Sequence, residues 1–305
     1  MERMWDALVA RQTGYVNFTS VTNAALADTP VAVVGTGGNG AVLDLLVRAG
    51  FMQFTIVDPD TVEPSNLNRL PFYPEDAGAP KVACWKRHLQ RLNPECTVEA
   101  HQRPVTRNDG PWLADVLSRV SILFLGTTDH EANLVAGRTC AELGLRMIIG
   151  PASSGSAIVT TFTHDNGLTL EGLGKFGTEG IPLQQVDYEA LRQRHFTALA
   201  FPGRSKNYLP EVWEGIRSWT HPARSCGIFV RLANSVMAFE GVKNAIDLKG
   251  LPLEGTGIVR IPEVQVFDPR TGCAYRYNAL TGEIGIPDWL TGAVDWRPGP
   301  TRGGA

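Results

Sequence analysis

The sequence predicts an α/β protein whose sheet is Rossmann-like, doubly wound and mostly parallel. Short, wholly apolar segments alternate with amphipathic helical segments through the first half of the chain, as in parallel sheets covered by helices. A glycine-rich turn follows the first apolar segment, and Asp58 ends the second. After Gly150 the pattern changes, and we expect antiparallel strands, a C-terminal helix and a hairpin to extend the sheet.

The elements follow in order from the spacing of apolar residues. Strands are predicted at residues 31–34, 54–57, 122–125 and 147–149, with helices at about 39–49, 82–92 and 132–140. Residues 151–163 are typical of extended sheet. A long helix is predicted from about Gly227 to Leu248, and the alternating segments 264–267 and 274–277 predict the hairpin.

Charge and composition exclude several classes of protein. The 305 residues contain 28 Lys and Arg against 31 Asp and Glu, a net charge of −3 that argues against generic duplex binding. No apolar stretch reaches the roughly 18 residues that a membrane span needs. Five cysteines form no C-x-x-C pair, so we expect no disulfide framework and predict a cytoplasmic protein.

The glycine-rich turn is the first candidate site. Gly35, Gly37 and Gly40 satisfy G-x-G-x-x-G between a strand and a helix, where backbone N–H groups can approach phosphate, and Gly38 lies in the same turn. No Lys-Ser/Thr pair follows, so the turn is not of the Walker type. Asp58 ends the next strand, where a carboxylate can accept hydrogen bonds from ribose. Taken alone, these residues predict a nicotinamide dehydrogenase.

The loop after the second strand favours a triphosphate instead. Residues 58–69 are polar and rich in amides, and Arg69 is followed by a G-x-x-K sequence that ends at Lys81. Arginine and lysine at this place can neutralise charge on phosphoryl oxygens during displacement, which a dinucleotide enzyme does not need. The alternative for either residue alone is a solvated surface cation.

In this arrangement the chain resembles the ubiquitin-activating-enzyme superfamily, in the compact form of its ThiF, HesA and MoeB members. Members carry a G-x-G-G-x-G turn, a D-x-D-x-V-x-x-S-N-L-x-R run and a G-x-x-K, which stand here at 35–40, 58–69 and 78–81. Asp129 matches an aspartate that the family places near magnesium. Arg11 matches an arginine that reaches the neighbouring subunit's phosphates in a dimer.

The resemblance implies ATP-dependent adenylation of a carboxylate by a homodimer, with ATP and Mg²⁺ as cofactors. A carboxylate would attack the α-phosphorus, release pyrophosphate and leave an acyl adenylate, a step that depends on positioning and electrostatics. The implied catalytic residues are Arg11 (in trans), Arg69, Lys81 and Asp129, the last through magnesium. The implied nucleotide-binding residues are Gly35, Gly37, Gly38, Gly40, Asp58 (ribose), Asp60, Ser65, Asn66 and Asn68 (phosphates), Arg69, Lys81, Asp129 and His130. Asp60 is equally well explained as a cap for its loop, and His130 as a structural histidine.

We accordingly divide the chain into five parts. They are an N-terminal helical arm (1–30), an ATP-binding adenylation core (31–164), a substrate-reading crossover segment (165–226), a C-terminal helix and hairpin that complete the core (227–290) and a loose tail (291–305). The crossover segment interleaves basic and aromatic residues over 192–217, which suggests a peptide substrate that carries carboxylates. A basic surface paired with nearby glutamates is the alternative.

Departures from the family concern zinc and one arginine. Many members hold zinc with two C-x-x-C pairs, but residues 165–170 and a lone Cys273 stand at those places, so no zinc site is expected. An arginine that often follows the aspartate by five residues is replaced by Leu134, with Arg138 nearby. Cys226, just before the long helix, is a candidate nucleophile, although we favour a small buried residue at a helix start.

The substrate is the least determined part of the prediction. The zinc-free form and the enlarged central segment favour tailoring of a ribosomal precursor peptide. Activation of the C-terminus of a ubiquitin-like or sulfur-carrier protein is the alternative, and adenylation of a modified tRNA is disfavoured by the net charge. An NAD-dependent oxidoreductase and an inert nucleotide-binding partner subunit are the alternatives of other classes. We expect a peptide or small carrier protein as partner, and neither a membrane nor nucleic acid.

Overall fold

The computed structural model describes residues 3–153, 155–174, 176–191, 209–217, 220, 225–255, 257–268 and 273–285. These residues form a ten-stranded sheet with helices on both faces. The strands are β1 (Val31–Val34), β2 (Gln53–Val57), β3 (Thr97–His101), β4 (Ile122–Leu125), β5 (Arg146–Ile149), β6 (Ala152–Ser153), β7 (Ser156–Phe162), β8 (Glu263–Asp268), β9 (Cys273–Asn278) and β10 (Ile284–Gly285).

The sheet has the order β3-β2-β1-β4-β5-β7-β8-β9-β10, and β6 pairs with β7. Strands β1 to β5 are parallel, with Val31 opposite Phe54 on one side and Ile122 on the other. From β7 onwards the pairing is antiparallel. The predicted fold class, a mostly parallel sheet extended by antiparallel strands and a hairpin, is therefore confirmed.

Helices cover both faces of this sheet. They are α1 (Met4–Ala10), α2 (Ser20–Ala27), α3 (Val42–Ala49), α4 (Lys81–Leu92), α5 (Gly110–Leu117), α6 (His130–Leu143), α7 (Leu170–Gly174), α8 (Pro210–Arg217) and α9 (Gly227–Leu248). Alternate residues of β1 enter two cores: Val31 and Val33 pack with Trp85 of α4 on one face, and Ala32 and Val34 lie in the core of the other. Such continuous burial explains why the strand sequence is apolar throughout.

Two differences from the sequence prediction concern the glycine turn and the edge of the sheet. The helix expected from residue 39 begins as a 3₁₀ turn, Gly38–Ala41, and becomes α-helical only at Val42, because the glycines continue the preceding turn. Strand β3 has no wholly apolar run, since it forms the edge of the sheet and exposes Thr97 and Glu99. The predictions for 192–208 and for the tail at 291–305 lie outside the described residues. No helix of the described part is long and apolar enough to cross a membrane.

Candidate active site

The main cavity lies at the carboxyl ends of β1, β2 and β4 and has a volume of about 550 Å³. Strand β1 has β2 on one side and β4 on the other, so chain connections diverge at this point of the sheet. Ligands of open α/β sheets bind where connections diverge in this way. The cavity volume is also within the roughly 300–1,000 Å³ that small-molecule sites usually have.

The glycine-rich turn forms one wall of this cavity. Gly35 has φ +85°, and a Cβ atom there would lie 2.4 Å from the backbone nitrogen of Thr127, so only glycine allows the turn to approach the loop after β4. Gly37 and Gly38 line the cavity beside Gly35. Gly40 is instead buried against Thr36 and the indole of Trp85. Its role is packing between the turn and α4.

Asp58 lines the cavity but is engaged mainly with the glycine turn. Its carboxylate accepts hydrogen bonds from the backbone N–H and the hydroxyl of Thr36 and from the N–H of Asp60. A carboxylate has about four acceptor positions, so three of them are occupied. The side chain is 3% exposed. Asp58 thus fixes the shape of the turn, and the prediction that it holds ribose stays a prediction.

Lys81 and Asp60 form an ion pair on the cavity wall. The Nζ of Lys81 lies 2.7 Å from Oδ2 of Asp60, and the lysine side chain is 9% exposed whereas that of Asp60 is 63% exposed. The pair is positioned by backbone hydrogen bonds that join residues 60–62 to 78–81, including Lys81 N–H to Asp60 C=O at 2.9 Å. Gly78, at φ +85°, allows the turn that makes this pairing possible.

Arg69 and Asn66 complete the wall that carries the predicted loop motif. Arg69 donates to the carbonyl of Ser65 at 2.8 Å and to Oδ1 of Asn68 at 2.9 Å, which fixes its guanidinium beside the cavity. Burial lowers the pKa of Arg69, but an arginine stays charged in any case. Asn66 is 4% exposed, and its amide accepts from the N–H of Glu63 at 3.4 Å.

Asp129 faces the cavity from the amino end of α6. It is the N-cap of the helix, and its Oδ1 accepts from the N–H of Ala132 at 2.7 Å. The side chain is exposed, and no described residue donates a hydrogen bond to its other oxygen. A carboxylate held in this way by one oxygen can offer the second oxygen to a ligand.

Five predicted residues are not among the described residues that line the cavity: Arg11, Gly40, Ser65, Asn68 and His130. Asn68 contacts α9 instead, because its amide donates to the carbonyl of Ser225 at 3.0 Å. Ser65 hydrogen-bonds Glu63 at 3.1 Å. Arg11 is exposed at the end of α1. Their roles in nucleotide binding stay predictions.

Cys226 corrects one expectation. The sequence favours a small buried residue, but the thiol is exposed at the N-cap of α9. The reason is the close approach of the next residue, since a Cβ on Gly227 would lie 2.3 Å from the carbonyl oxygen of Asn68. That contact places the helix start beside the loop of Arg69 and leaves the cysteine outside. Cys84 and Cys140, predicted to be core residues, are buried.

The sequence prediction missed one wall of the cavity, formed by residues 103–106 after β3. Arg103 lies there, with its guanidinium 4.0 Å from the ring centre of Trp112 and paired with Asp109. Glu63 and Glu131 also line the cavity. The signal that could have found this wall is the position of the loop at the carboxyl end of a parallel strand, but β3 itself was not predicted.

Comparison with known families decides the classification. The profile described as the ThiF family matches residues 9–248, which is most of the chain. The chain belongs to the ThiF family. Membership predicted from the motifs at 35–40, 58–69 and 78–81 is therefore confirmed.

Sequence relatives and solved structures agree with this family. The ubiquitin-like modifier-activating enzymes 5 of Bombyx mori and Drosophila mojavensis are 37% identical over 122 residues and 42% identical over 128 residues. The matches cover 37% and 39% of this chain but only 31% and 32% of those relatives.

Among solved structures, PaaA has a TM-score of 0.62 at 14% identity over 90% of this chain and 72% of its own. MccB of E. coli, solved with ATP, has a TM-score of 0.62 at 16% identity, over 85% of this chain and 66% of its own. These likenesses show the fold.

The departures from other ThiF members have visible structural counterparts. Leu134 is buried in the core, and Arg138, one turn later on α6, pairs with Glu171 at 2.6 Å. At the first place where many family members carry a C-x-x-C pair, Asn166 donates to the carbonyl of Ile261 at 2.6 Å, and Asp165 lies 3.5 Å from Arg260. Among the described residues, no group of three or more His, Cys, Asp or Glu side chains could hold a metal ion.

Proposed function

We propose that this protein is an adenylyltransferase that activates a carboxylate with ATP, giving an acyl adenylate and pyrophosphate. The observation that carries the proposal is the convergence, on one cavity, of the glycine turn, two cations and an exposed acid. Gly37 and Gly38 carry no side chain, so a ligand can approach their backbone closely. Arg69 and Lys81 supply positive charge, and Asp129 supplies a carboxylate oxygen. This set matches what phosphoryl chemistry needs, which is positioning and charge stabilisation rather than a proton donor.

The cavity is suited to a nucleoside triphosphate. Its volume of about 550 Å³ and its three cationic side chains, Arg69, Lys81 and Arg103, fit a large polyanion. In the proposed reaction a carboxylate oxygen of the substrate forms a bond to the α-phosphorus, and the bond from that phosphorus to pyrophosphate breaks. Arg69 and Lys81 would stabilise the charge that develops on the phosphoryl oxygens.

Magnesium is proposed to bind through Asp129 together with the phosphates. Mg²⁺ is commonly held by one or two carboxylates plus substrate phosphates rather than by a cage of protein ligands. The free oxygen of Asp129 fits that pattern. The ion would neutralise phosphate charge and make pyrophosphate a better leaving group.

We assign the ribose contact to Asp60 in preference to Asp58. The Asp58 carboxylate already accepts three hydrogen bonds from the protein and is almost fully buried. The Asp60 carboxylate is 63% exposed and faces the same cavity, where its present partner is Lys81. On nucleotide binding, Lys81 would turn to phosphate and leave Asp60 free to accept from hydroxyl groups.

The substrate is proposed to be a ribosomally made precursor peptide, with the C-terminus of a ubiquitin-like or sulfur-carrier protein as the alternative. The neighbour MccB, a microcin C7 biosynthetic enzyme, has been solved in complex with N-formylated MccA. The sequence relatives are enzymes that activate ubiquitin-like modifiers. The exposed thiol of Cys226 favours the second candidate function, because a nucleophilic cysteine converts an adenylate to a thioester.

A homodimer is proposed as the assembly in which Arg11 acts. Arg11 is exposed and is not among the described residues that line its own cavity, so it is available to a second copy. The same arm exposes the apolar side chains of Tyr15, Val16 and Val21. Exposed apolar groups of this kind are typical of protein interfaces.

Calorimetric titration with Mg-ATP and with NAD tests the proposed function. We expect Mg-ATP to bind and NAD not to bind, and Arg69→Ala to weaken ATP binding by about tenfold or more because a charge-assisted contact is lost. Arg91→Ala is the matched control, since Arg91 is exposed on α4 away from the cavity. Preferred binding of NAD would support an oxidoreductase instead.

Pyrophosphate release then separates an enzyme from an inert partner subunit. The probes are synthetic peptides that end in Gly-Gly or are rich in Glu, and each is tested with Mg-ATP. We expect Asp129→Ala to bind nucleotide weakly and to release no pyrophosphate, while the protein stays folded. Pyrophosphate release at the wild-type rate in Asp129→Ala and Lys81→Ala would contradict the site assignment.

A further inference from the structure

Arg107 joins three parts of the molecule at the rim of the cavity. It follows directly on the wall formed by residues 103–106, which line the cavity. Its backbone N–H and Nε both donate to Oε1 of Glu131, at 2.7 and 2.9 Å, and its Nη2 donates to Oε2 at 3.0 Å. This bidentate pair ties the wall to the first turn of α6.

Glu131 connects the pair to the nucleotide-binding residues. It lies two residues after Asp129, and it lines the cavity itself. The guanidinium of Arg107 donates to both oxygens of this carboxylate, at 2.9 and 3.0 Å. A negative charge on the cavity wall is therefore compensated by an arginine behind it.

Arg107 also contacts residues 183–188 of the crossover segment. Its guanidinium lies 4.2 Å from the ring centre of Tyr188, within the range of a cation–π contact. Its carbonyl accepts from the amide of Gln184 at 3.1 Å, and the hydroxyl of Tyr188 donates to the carbonyl of Leu183 at 3.1 Å. Residues 183–188 are thus folded around this one arginine.

A second arginine anchors the preceding residues to the same helix. Arg138 of α6 donates to the carbonyls of Thr178 and Ile181, at 2.7 and 2.6 Å, and pairs with Glu171. Helix α6 therefore carries the Asp129 cap at its amino end, Glu131 in its first turn and Arg138 in its third. Asp129, which faces the cavity, and Arg138, which binds the crossover segment, therefore lie on the same helix.

We propose that Arg107 is a positioning residue that couples occupancy of the nucleotide cavity to residues 176–191 of the crossover segment. The inference rests on the proposed function, because it takes Mg-ATP as the occupant. Phosphate groups near Glu131 would repel its carboxylate, and this repulsion is smallest while Arg107 stays paired with it. Nucleotide therefore favours the arrangement in which Arg107 also holds Gln184 and Tyr188. A ligand shifts a conformational equilibrium only through such a difference in interaction.

Hydrogen–deuterium exchange of residues 176–191, with and without Mg-ATP, tests the coupling. In the wild type we expect Mg-ATP to slow amide exchange in this segment by about threefold or more. In Arg107→Ala we expect that ratio to fall by at least half towards one, because the side-chain bonds to Glu131 and the contact with Tyr188 are lost while the backbone bonds of residue 107 remain. Arg119→Ala is the matched control, because the ion pairs of Arg119 within the described residues are with Glu99 and Asp115, which lie outside the segment. This control should keep the wild-type ratio.

The outcomes separate coupling from a purely structural role. If Arg107→Ala exchanges faster but keeps the nucleotide-dependent ratio, Arg107 only stabilises the segment and the proposal is wrong. It is also wrong if the wild type binds Mg-ATP by calorimetry without any change at 176–191. Failure of Mg-ATP to bind at all refutes the proposed function and the coupling with it.

If Arg107→Ala does not fold, Arg107→Lys replaces it. Its nucleotide-dependent exchange ratio should lie between the wild-type ratio and one, since lysine cannot form the bidentate pair.

Discussion

Two lysine–carboxylate pairs of identical chemistry lie in different parts of this molecule. Lys81 pairs with Asp60 on the cavity wall, and Lys243 pairs with Glu240 inside α9. The Asp60 side chain is 63% exposed, whereas Glu240 and Lys243 are 2% and 4% exposed. In the proposed function Lys81 exchanges its partner for a ligand, whereas Lys243 and Glu240 are enclosed by the protein.

The surroundings of the buried pair explain that commitment. Glu240 also accepts from the N–H of Val259 at 2.6 Å, and Lys243 donates to the carbonyl of Gly257 at 2.9 Å. These bonds fix the loop after α9 against β7, where Asn244 also donates to Thr161 at 3.2 Å. Burial raises the pKa of Glu240, and the charge of Lys243 opposes that effect. The two pairs are similar in distance and differ in solvent access, and we propose that this access lets the Lys81–Asp60 pair bind a ligand.

The largest expected effect comes from breaking the buried pair. Lys243→Met leaves the charge of Glu240 buried without a counter-ion, and we expect a loss of about 3–5 kcal/mol in the free energy of unfolding. Urea denaturation monitored by tryptophan fluorescence measures it. Lys249→Met, at the exposed end of the same helix, is the control and should change stability by less than about 0.5 kcal/mol.

A double variant shows whether the cost comes from the unpaired charge. Replacing both members, as Glu240→Leu with Lys243→Met, removes the charge as well as its partner, and we expect most of the lost stability to return. A double variant as unstable as Lys243→Met would mean that the stability loss comes mainly from the other hydrogen bonds of Glu240. The difference between the buried pair and the cavity pair would then be one of hydrogen bonding and not of charge.

The second prediction applies the comparison to the two acids after β2. Asp58→Asn replaces a buried carboxylate that accepts three hydrogen bonds, and we expect a loss of about 1–3 kcal/mol in the free energy of unfolding. The amide nitrogen is itself a donor and would face the donors that now bind the carboxylate. Asp60→Asn changes an exposed side chain and should cost less than about 0.5 kcal/mol. Paired denaturation curves measure both. Equal losses would show that Asp58 and Asp60 do not differ as their exposure indicates.

Features of the fold and the site could be predicted from the sequence where they depend on contacts between residues close together in the chain. The glycine turn and the motif loop were found because local spacing determines them, as the pairing of residues 60–62 with 78–81 shows. The assignment of ribose to Asp58 rested on sequence position alone. Two of its three hydrogen bonds come from Thr36, which lies on another strand–loop unit, so no local pattern indicates that this carboxylate is already engaged.

The missed features depend on contacts between distant segments. Strand β3 is an edge strand with exposed residues, so it lacks the apolar signal that identified β1 and β4. Without β3, the cavity wall at 103–106 and the junction at Arg107 could not be placed. The exposure of Cys226 likewise follows from the contact of Gly227 with Asn68, residues more than 150 positions apart.

The third prediction tests the cavity pair directly. Lys81→Met removes a cation from the cavity, and we expect ATP affinity to fall by about tenfold, or about 1.4 kcal/mol, with a stability change below about 1 kcal/mol because Asp60 remains hydrated. Calorimetric titration and denaturation together measure this. Lys86→Met, exposed on the same helix, is the control. A large loss of stability without loss of affinity would place Lys81 with Lys243 among the structural residues.

The smallest effect is expected from the pair of Arg107 with Glu131, whose side chains are both partly exposed, at 35% and 23%. Because hydrogen bonds from Arg107 lower the pKa of Glu131 in the folded protein, the pair stabilises the fold above the unfolded pKa near 4.5, and this contribution disappears as pH falls through the lower folded value. Melting temperatures from pH 7 to 3 should therefore converge for the wild type and Glu131→Gln at the acid end. Curves that stay parallel would mean that Glu131 contributes through its shape and not its charge.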